Sequence, residues 1–428
     1  MTLGNSDPMR ILILAQQWEP EEGTPQRRWA PLIDALVRRG NKVVVVAPPP
    51  HYPGGLLTSE DPDVRTGATA KGRHGEVIVR CSFAEHDQTL RSRIWDQGVV
   101  GISTLRIARR IIDKQRPDII LTTAPPIPAA YVTSLIAHTR EIPYIVDLRD
   151  VWPDLLKYLN EWGPRVDQKS QGRLILAPAF AAISAVASNL LTIALQHAAG
   201  ITTTTPSFAE LLRERGFENV LNVRNTASVL AQPASPVEGR EDQELRVLYV
   251  GTTGRAQGLH SALDALDLIK SEHVNLQMRI VGSGAALKSL QEDAAERQLP
   301  VEFFGRIPHE EVRAHYEWAD TTLVHLRDWD PLQYTVPSKL YESLSAGRHI
   351  TVAANGETAR IVEETGVGHA VPAMRPRALA DLWKHLANNR ELLDIGDSGI
   401  LWLKARESQV ENAEKFANFV ERCANESK

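Results

Sequence analysis

Residues 336–357, VPSKLYESLSAGRHITVAANGE, combine a cation, a carboxylate and a helix start in one short stretch. Pro337 fixes φ and lacks an N–H, which suits the first turn of a helix, where backbone donors are unpaired anyway. Lys339 and Glu342 share one face of that helix. A lysine at a helix N-terminus favours a phosphate ligand, and the carboxylate one turn later can accept a hydrogen bond from a ribose hydroxyl. The alternative interpretation is a surface helix with an ordinary ion pair.

Glycine-containing stretches elsewhere follow predicted strands and open predicted helices. Residues 249–258, YVGTTGRAQG, contain Arg255, and a cation beside a helix start suits a diphosphate. Their spacing matches neither the dinucleotide-binding fingerprint nor the P-loop. In residues 16–25, QQWEPEEGTP, Gly23 lets the backbone approach an anion, although a plain connecting loop explains the same residues. Residues 282–284 are predicted to form only a tight turn.

Alternating strands and helices are needed to position these stretches. Short apolar runs, rich in β-branched residues, predict buried parallel strands. In the first half of the chain they cover residues 11–14, 43–47, 77–79, 119–121 and 144–146. In the second half they cover residues 247–250, 277–281, 301–304, 322–326 and 350–353. Helical patterns lie between them, so each half is predicted to be a doubly wound α/β domain.

The length of 428 residues exceeds what one hydrophobic core usually holds, which favours two domains. The predicted boundaries are an N-terminal domain over 1–225, a linker over 226–244, a C-terminal domain over 245–405 and a terminal helix over 406–428. The linker is rich in Pro, Ala, Ser and acidic residues without periodicity. The terminal helix is expected to pack back towards the N-terminal domain, and a ligand is expected in a cleft at the carboxyl ends of the strands.

Composition excludes some classes of protein. A formal net charge of −5 argues against a nucleic-acid binder with a broad basic face. Two cysteines indicate a reducing compartment rather than a disulfide framework. The first residues lack the pattern of a signal peptide, so the cytoplasm is the expected location.

One long stretch, residues 174–209, contains no Asp, Glu, Lys or Arg. Pro178 and scattered polar residues interrupt it, which disfavours a bilayer span and leaves a buried helix or a helix resting on a membrane surface. Residues 90–112 mix arginines with Trp, Val, Leu and Ile. They form either a basic amphipathic partner to that surface or a core-facing helix.

These motifs together resemble the retaining family-4 glycosyltransferases of the GT-B fold. The resemblance rests on Gly251 and Gly258, VGSG at 281–284, FGRIP at 304–308, Ala319-Asp320, PSKLYESLSAGR at 337–348, Glu22-Gly23-Thr24 and DLRDVWPD at 147–154. The His51-Tyr52-Pro53-Gly54-Gly55 turn and the Arg-Asp-x-Trp-Pro run most resemble the branch that transfers amino sugars in bacterial surface-polysaccharide assembly. The resemblance spans nearly the whole chain and implies an α/β fold with two Rossmann-like domains facing across a cleft.

The resemblance implies a nucleotide-diphosphate sugar donor, with uridine diphosphate as a candidate nucleotide, held mainly by the C-terminal domain. The donor-binding residues it implies are Gly23, Thr24, Gly251, Thr252, Arg255, Gly258, Gly305, Arg306, Ile307, Ser338, Lys339, Leu340, Glu342 and Glu357. Glu342 would bind the ribose, residues 305–307 would frame the base, and Gly23 would approach the diphosphate from the acceptor-side N-terminal domain.

The chain departs from the family pattern at two places. Many members carry Arg after the first glycine of the 249–258 loop and Lys before its last glycine. Both are missing here, so Arg255 and Lys339 would have to supply the positive charge. Many members also carry a sugar-contacting Glu where this chain has Tyr334, and that role passes either to Tyr334 or to Glu357.

The reaction centre implied by the resemblance falls at Arg149 and Asp150, after the fifth strand. Asp150 would orient or deprotonate the acceptor hydroxyl, and Arg149 would stabilise developing charge. An ion pair at a strand end is the alternative. Residues 328–330, Asp-Trp-Asp, have the form used for metal-bound donors elsewhere, but are expected to form a polar loop. No metal or other cofactor is expected.

The implied function is a retaining hexosyl- or N-acetylhexosaminyl-transferase that acts on a polysaccharide or polyprenyl-linked acceptor. Peripheral contact with anionic lipid at the inner face of the plasma membrane would suit such an acceptor. Two other functions fit the same frame. One is a nucleotide-sugar epimerase, and the other is a non-catalytic nucleotide-sugar-binding protein, which the missing cations of the glycine loop suggest.

Overall fold

The computed structural model describes residues 8–21, 23–52, 54–87, 90–162, 173–225, 244–406 and 409–426. These residues form two compact units. The first unit comprises the described residues up to 157, residues 173–225 and residues 409–426, and the second comprises residues 158–162 and 244–406. Residues 158–162 thus group with the second unit, although they lie within the predicted N-terminal domain. All of the predicted linker except Glu244 lies outside the described residues.

Within its described residues, the first unit has an eight-stranded sheet with the order β3-β4-β2-β1-β5-β6-β7-β8. The strands are β1 (Arg10–Leu14), β2 (Lys42–Ala47), β3 (Thr69–Lys71), β4 (Val77–Arg80), β5 (Ile119–Ala124), β6 (Tyr144–Leu148), β7 (Gly200–Thr203) and β8 (Val220–Asn222). All neighbours are parallel except β3 and β4. The helices are α1 (Thr24–Arg38), α2 (Leu90–Lys114), α3 (Ile127–Arg140), α4 (Arg173–Gln196) and α5 (Pro206–Glu214).

The second unit has a six-stranded parallel sheet with the order β11-β10-β9-β12-β13-β14. The strands are β9 (Leu245–Val250), β10 (Leu276–Val281), β11 (Val301–Phe304), β12 (Thr321–His325), β13 (His349–Ala353) and β14 (Gly368–Val371). The helices are α6 (His260–Ser271), α7 (Leu287–Glu296), α8 (His309–Trp318), α9 (Ser338–Ala346), α10 (Glu357–Thr365), α11 (Pro376–Asn388) and α12 (Ser398–Arg406). The predicted doubly wound architecture is confirmed in both units.

The strand order reverses between β1 and β5 in the first sheet and between β9 and β12 in the second. In open α/β sheets, the loops at the carboxyl ends of such neighbouring strands diverge and leave room for a ligand. Both predicted glycine stretches, 16–25 and 249–258, follow the strand on one side of such a reversal. The topology therefore gives each unit one favoured binding edge.

Helix α13 (Gln409–Glu426) belongs to the first unit and packs against α1. The ring of Phe416 meets Trp29 of α1 edge to face, with 5.8 Å between centroids. Both side chains are fully buried. At the rim of this contact Arg39 donates to Glu421 at 3.0 Å. The C-terminal helix is therefore part of the core that supports the binding edge of the first sheet.

The charge-free stretch 174–209 covers nearly all of α4, then β7 and the start of α5. On the part of α4 whose side chains are described, Leu191, Ala194 and Leu195 are buried, whereas Val186, Leu190 and Ile193 are exposed. This helix therefore has one face in the core and one apolar face at the surface. Among the described residues, no helix is long and apolar enough to cross a membrane.

Candidate active site

The glycine loop after β9 begins at Gly251, whose φ of +136° is a conformation that side chains disfavour. Gly282, after β10, packs directly against it, because a Cβ at Gly282 would lie 2.0 Å from the Gly251 carbonyl oxygen. The Thr253 N–H donates to the Ser283 carbonyl at 3.0 Å. Residues 282–284 are thus more than the isolated tight turn that their spacing predicts. They hold the first glycine loop in place.

Lys339 lies in the first turn of α9, beside this loop, and only 8% of its surface is exposed. Its Nζ donates to the Tyr249 hydroxyl at 2.5 Å, and that hydroxyl donates to the Thr252 carbonyl at 2.6 Å. A Cβ at Gly251 would lie 3.9 Å from the same Nζ. Burial lowers the pKa of Lys339 to about 7, against the opposing effect of the Glu342 carboxylate. An ammonium group at this position gains most from an anionic ligand.

The other residues of α9 differ in exposure. Leu340 is fully buried, whereas Ser338 and Glu342 are partly exposed. The helix begins after Pro337 and ends at Gly347, whose φ is +64°. The unpaired N–H groups of the first turn and the Lys339 side chain are therefore both at the N-terminal end of α9. Such N–H groups bind phosphate at helix N-termini.

Arg255 lies in a short 3-10 helix, Arg255–Gln257, that ends at Gly258 with a φ of +60°. Two residues that no sequence motif indicates, His325 at the end of β12 and Arg327 just after it, contact this segment. Arg327 donates from Nε to the Arg255 carbonyl at 2.9 Å. His325 is fully buried, and its Nδ1 lies 2.6 Å from the Gln257 carbonyl. Burial lowers the pKa of His325 to about 4, so the ring is neutral at physiological pH.

Glu357 begins α10 and is 2% exposed. Its Oε2 accepts from Arg360 at 2.5 Å. The segment that contains Tyr334 lies against the start of α10, because Thr358 donates to the Thr335 carbonyl at 2.9 Å. The two candidates for the sugar-contacting role, Tyr334 and Glu357, therefore lie on segments that are in contact.

Residues 305–307 follow β11, the edge strand of the second sheet. Gly305 and Arg306 are exposed, and Ile307 packs on the cluster formed by Leu248 and Val281. The Phe304 carbonyl accepts from the Gly282 N–H at 3.0 Å. The exposed residues thus lie next to the second glycine turn, at the same edge as Lys339.

The Asp328-Trp329-Asp330 stretch lines a small polar pocket of about 90 Å³ beside Asn355. Asn355 donates to Asp328 Oδ1 at 2.7 Å. Across the described parts of the chain, neither aspartate belongs to a group of three side chains with metal-binding spacing. The contact with Asn355 links this stretch to the residues after β13.

In the first unit, Gly23 caps α1 in an extended conformation, and Thr24 is the first helical residue. Glu21, two residues before Gly23, is buried, and its carboxylate accepts from the backbone N–H groups of His51 at 2.7 Å and Tyr52 at 2.8 Å. Burial raises the pKa of Glu21 despite these hydrogen bonds. Glu21 therefore ties the loop after β1 to the loop after β2.

A buried ion pair between Arg28 and Asp147 fixes α1 to the carboxyl end of β6. Arg28 Nη2 donates to Asp147 Oδ1 at 2.6 Å, and both side chains are 1% exposed. Thr202 donates to the same oxygen at 2.7 Å, and Arg28 Nη1 donates to the Val223 carbonyl at 2.5 Å. Burial raises the pKa of Asp147, but the Arg28 guanidinium and these hydrogen bonds keep it below the ordinary value. No motif in the sequence indicates this pair.

The predicted catalytic residues Arg149 and Asp150 follow β6 directly and are partly exposed. Arg149 donates from Nη2 to the Pro125 carbonyl at 2.6 Å, across the end of β5. Burial raises the pKa of Asp150, and the neighbouring Arg149 opposes this rise. Burial likewise lowers the pKa of Arg149. A carboxylate with a raised pKa is a suitable proton acceptor for a hydroxyl group.

Each unit thus brings its predicted residues to one sheet edge. In the second unit, Gly251, Thr252, Arg255, Gly258, Lys339 and their neighbours meet at the carboxyl ends of β9 to β13. In the first unit, the loop before α1 and the Arg149-Asp150 pair follow the carboxyl ends of β1 and β6.

Comparison with known families covers both units. The profile of the family "Glycosyl transferase 4-like domain" matches residues 23–225, and that of "Glycosyl transferases group 1" matches residues 232–415. The chain belongs to these glycosyltransferases.

Two relatives extend this result. The glycosyltransferase WbjE of Pseudomonas aeruginosa is 32% identical over 183 residues, which are 42% of this chain and 45% of that protein. The colanic acid biosynthesis glycosyl transferase WcaI of Escherichia coli is 23% identical over 82% of this chain and 84% of its own length. The match to WbjE therefore spans less than half of that relative.

A solved structure supports the fold of this glycosyltransferase. HepE of Anabaena, in complex with UDP-glucose, superposes with a TM-score of 0.62 at 15% identity, over 97% of this chain and all of HepE. At this identity the likeness supports the GT-B fold alone. The fold implied by the motifs is thereby confirmed.

Proposed function

We propose that this glycosyltransferase transfers a sugar from a nucleotide-diphosphate donor bound at the carboxyl edge of the second sheet, with retention of anomeric configuration. The observation that carries the donor assignment is Lys339. Its ammonium group is buried beside the Gly251 loop at the start of α9, where its pKa is lowered to about 7. A diphosphate there would stabilise the charged form and accept from the first-turn N–H groups of α9.

The remaining contacts fit a nucleotide in the same place. Glu342, one turn after Lys339, would accept from the ribose hydroxyls, and the exposed segment 305–307 would frame the base. Arg255 would add charge beside the diphosphate. The complex of HepE with UDP-glucose supports a uridine nucleotide as the first probe.

We propose that Arg149 and Asp150 of the first unit act on the acceptor. Asp150 would orient the acceptor hydroxyl and take its proton, and the raised pKa supports this role. The leaving diphosphate would be stabilised by Lys339, Arg255 and helix N-termini instead of a metal ion. The reaction is therefore proposed to be metal-independent.

The proposed acceptor is a growing polysaccharide or a polyprenyl-linked sugar, and the transferred group is a hexose or N-acetylhexosamine. WcaI, named for colanic acid biosynthesis, supports a surface-polysaccharide role.

Exposed apolar side chains on successive helices support contact with a lipid surface. Trp95 on α2 is 70% exposed, Leu135 lies exposed on α3, and Val186, Leu190 and Ile193 lie exposed on α4. Arginines of α2 would attract anionic headgroups.

Calorimetric titration with uridine, guanosine and adenosine diphosphates tests the donor site. One of the three should bind with one site per chain, and binding of none would overturn the proposal.

Flotation with anionic vesicles tests the membrane surface. The protein should rise with the vesicles and be released by high salt. Trp95→Ser should weaken flotation, whereas the control Leu401→Ser, an exposed leucine of the second unit, should not.

A further inference from the structure

Three side chains with metal-ligand chemistry converge in the first unit, outside the proposed donor site. They are His51, after β2, His86, between β4 and α2, and Asp96, on α2. One ligand atom from each lies within 4.8 Å of the other two. In the part of the chain that the structure describes, this is the one such group.

The hydrogen bonds of His51 leave a ring nitrogen available inside the group. His51 Nδ1 lies 2.8 Å from the Pro49 carbonyl oxygen, which can only accept, so Nδ1 carries the proton. The lone pair is therefore on Nε2, which lies 4.0 Å from Asp96 Oδ2. The ring also stacks on Phe83, with 4.9 Å between centroids. A backbone carbonyl that fixes the tautomer in this way is typical of metal-binding histidines.

A backbone group also orients the Asp96 carboxylate. Its Oδ1 accepts from the Ala84 N–H at 2.9 Å, which directs Oδ2 towards His51. Asp96 is 5% exposed. A buried carboxylate beside two imidazoles supplies the negative charge that a divalent cation requires.

His86 reaches the group because Gly55 has no side chain. A Cβ at Gly55 would lie 2.4 Å from His86 Nδ1, and Gly55 has a φ of +81°. Backbone hydrogen bonds tie the segment of His86 to the loop after β2, from Gly55 N to His51 O at 2.7 Å and from His86 N to Gly55 O at 3.0 Å. His86 is partly exposed, which gives an ion a path to the group.

We propose that His51, His86 and Asp96 bind a divalent transition-metal ion of the zinc class, with water completing the coordination. Two imidazoles and one carboxylate favour Zn²⁺ over Mg²⁺ or Ca²⁺, which prefer oxygen ligands. Metal–ligand bonds of about 2.1 Å require the three ligand atoms to approach by roughly 1 Å. Small movements of all three side chains would bring about this approach, since His51 Nε2 and Asp96 Oδ2 themselves lie 4.0 Å apart.

The ion would clamp the loop after β2, the segment before α2 and α2 itself. His51 also donates its backbone N–H to Glu21, so the clamp stabilises the loops at the binding edge of the first sheet. This role is separate from sugar transfer, since no donor contact and no proton transfer involves the ion. The proposal therefore does not depend on the proposed function.

Zinc binding to the full chain, expressed without a histidine tag and stripped with chelator, tests the proposal. Calorimetry should show one Zn²⁺ per chain and no binding of Mg²⁺. The Co²⁺-loaded protein should show the visible d–d absorption of a site with nitrogen ligands. Zinc should raise the melting temperature of the parent protein.

Two variants and one control assign the site. Asp96→Asn keeps an oxygen for the Ala84 N–H, so it should remain folded, and it should weaken zinc binding at least tenfold. His86→Gln should do the same, and neither variant should show the zinc-dependent rise in melting temperature. The control His138→Gln removes an exposed histidine of α3 and should bind as the parent does. Absence of stoichiometric binding, or equal binding by Asp96→Asn, would overturn the proposal.

Discussion

Replacing Lys339 by methionine should make the protein more stable at mildly acidic pH while it weakens donor binding. The side chain is buried, and its pKa is lowered from 10.5 to about 7. The unfolded chain keeps the proton up to about pH 10.5, whereas the folded chain loses it near pH 7. The unfolded state therefore binds more protons in this window, and stability rises with pH from about 7 to 10.5.

The size of the effect follows from the same values. One pH unit corresponds to about 1.4 kcal/mol, so the charged lysine costs on the order of 5 kcal/mol of stability below pH 7. Methionine removes this cost but also removes the hydrogen bond to Tyr249 and the contact with its ring, together about 2 kcal/mol. The free energy of unfolding should then rise by about 2–3 kcal/mol at pH 6 and fall slightly at pH 10.

Donor binding should show the opposite trend. A diphosphate favours the charged lysine, so binding above pH 7 takes up one proton, and the dissociation constant rises by up to about tenfold per pH unit. The phosphates do not contribute in this range, because their last ionisation lies near pH 6, at about the value for phosphate esters. In Lys339→Met the affinity should be weaker and independent of pH between 7 and 9.

Urea unfolding at pH 6 and pH 10 measures the first effect. Titration of uridine diphosphate in two buffers with different ionisation enthalpies measures the proton uptake. Lys384→Met is the matched control, since Lys384 is 46% exposed and pairs with Glu272 at the surface. If Lys339→Met is destabilised equally at both pH values and the parent takes up no proton on binding, the reasoning about this site is refuted.

Three further predictions concern other parts of the molecule. Glu342→Ala should weaken binding of the nucleoside diphosphate by about 1.5–3 kcal/mol in calorimetry, whereas Glu363→Ala, on the exposed face of α10, should leave it unchanged. Asp147→Asn should lower the free energy of unfolding by about 3–5 kcal/mol in urea titrations, because it leaves Arg28 buried without its counter-charge, and a loss below about 1 kcal/mol would contradict this. Transfer activity should survive chelator at temperatures well below the melting temperature, and activity that disappears and returns with magnesium or manganese would implicate the carboxylates of residues 328–330 as ligands.

Local pattern was sufficient to predict most of the scaffold. Strands β1, β2, β5, β6, β12 and β13 are buried on both faces over nearly their whole length, so each appears in the sequence as a short, largely apolar run. The bounds of α9 were predicted correctly because they depend on nearby residues, Pro337 before the first turn and Gly347 at the C-terminal end. Strands β3, β8 and β14 were missed, since three or four residues at a sheet edge carry little periodicity.

Contacts between distant segments could not be predicted in the same way. Arg28 and Asp147 are 119 residues apart, and nothing near Asp147 distinguishes it from a polar residue at a strand end. His325 and Arg327 carry no motif, and only the pairing of β12 with β9 brings them to the glycine loop. The group formed by His51, His86 and Asp96 likewise depends on how three separate segments pack. Such sites depend on the order of the strands in the sheet, and the local pattern of apolar and polar residues does not determine that order.

Product analysis with labelled nucleotide sugars tests whether the protein is a retaining sugar transferase. The purified protein is incubated with uridine-diphosphate-linked hexoses and N-acetylhexosamines, with and without a membrane lipid extract. Label should move to an acceptor only when the extract is present, and NMR of the product should show the anomeric configuration of the donor. Conversion of the donor into a different nucleotide sugar without any acceptor, or donor binding with no product under either condition, would refute the proposed transferase function.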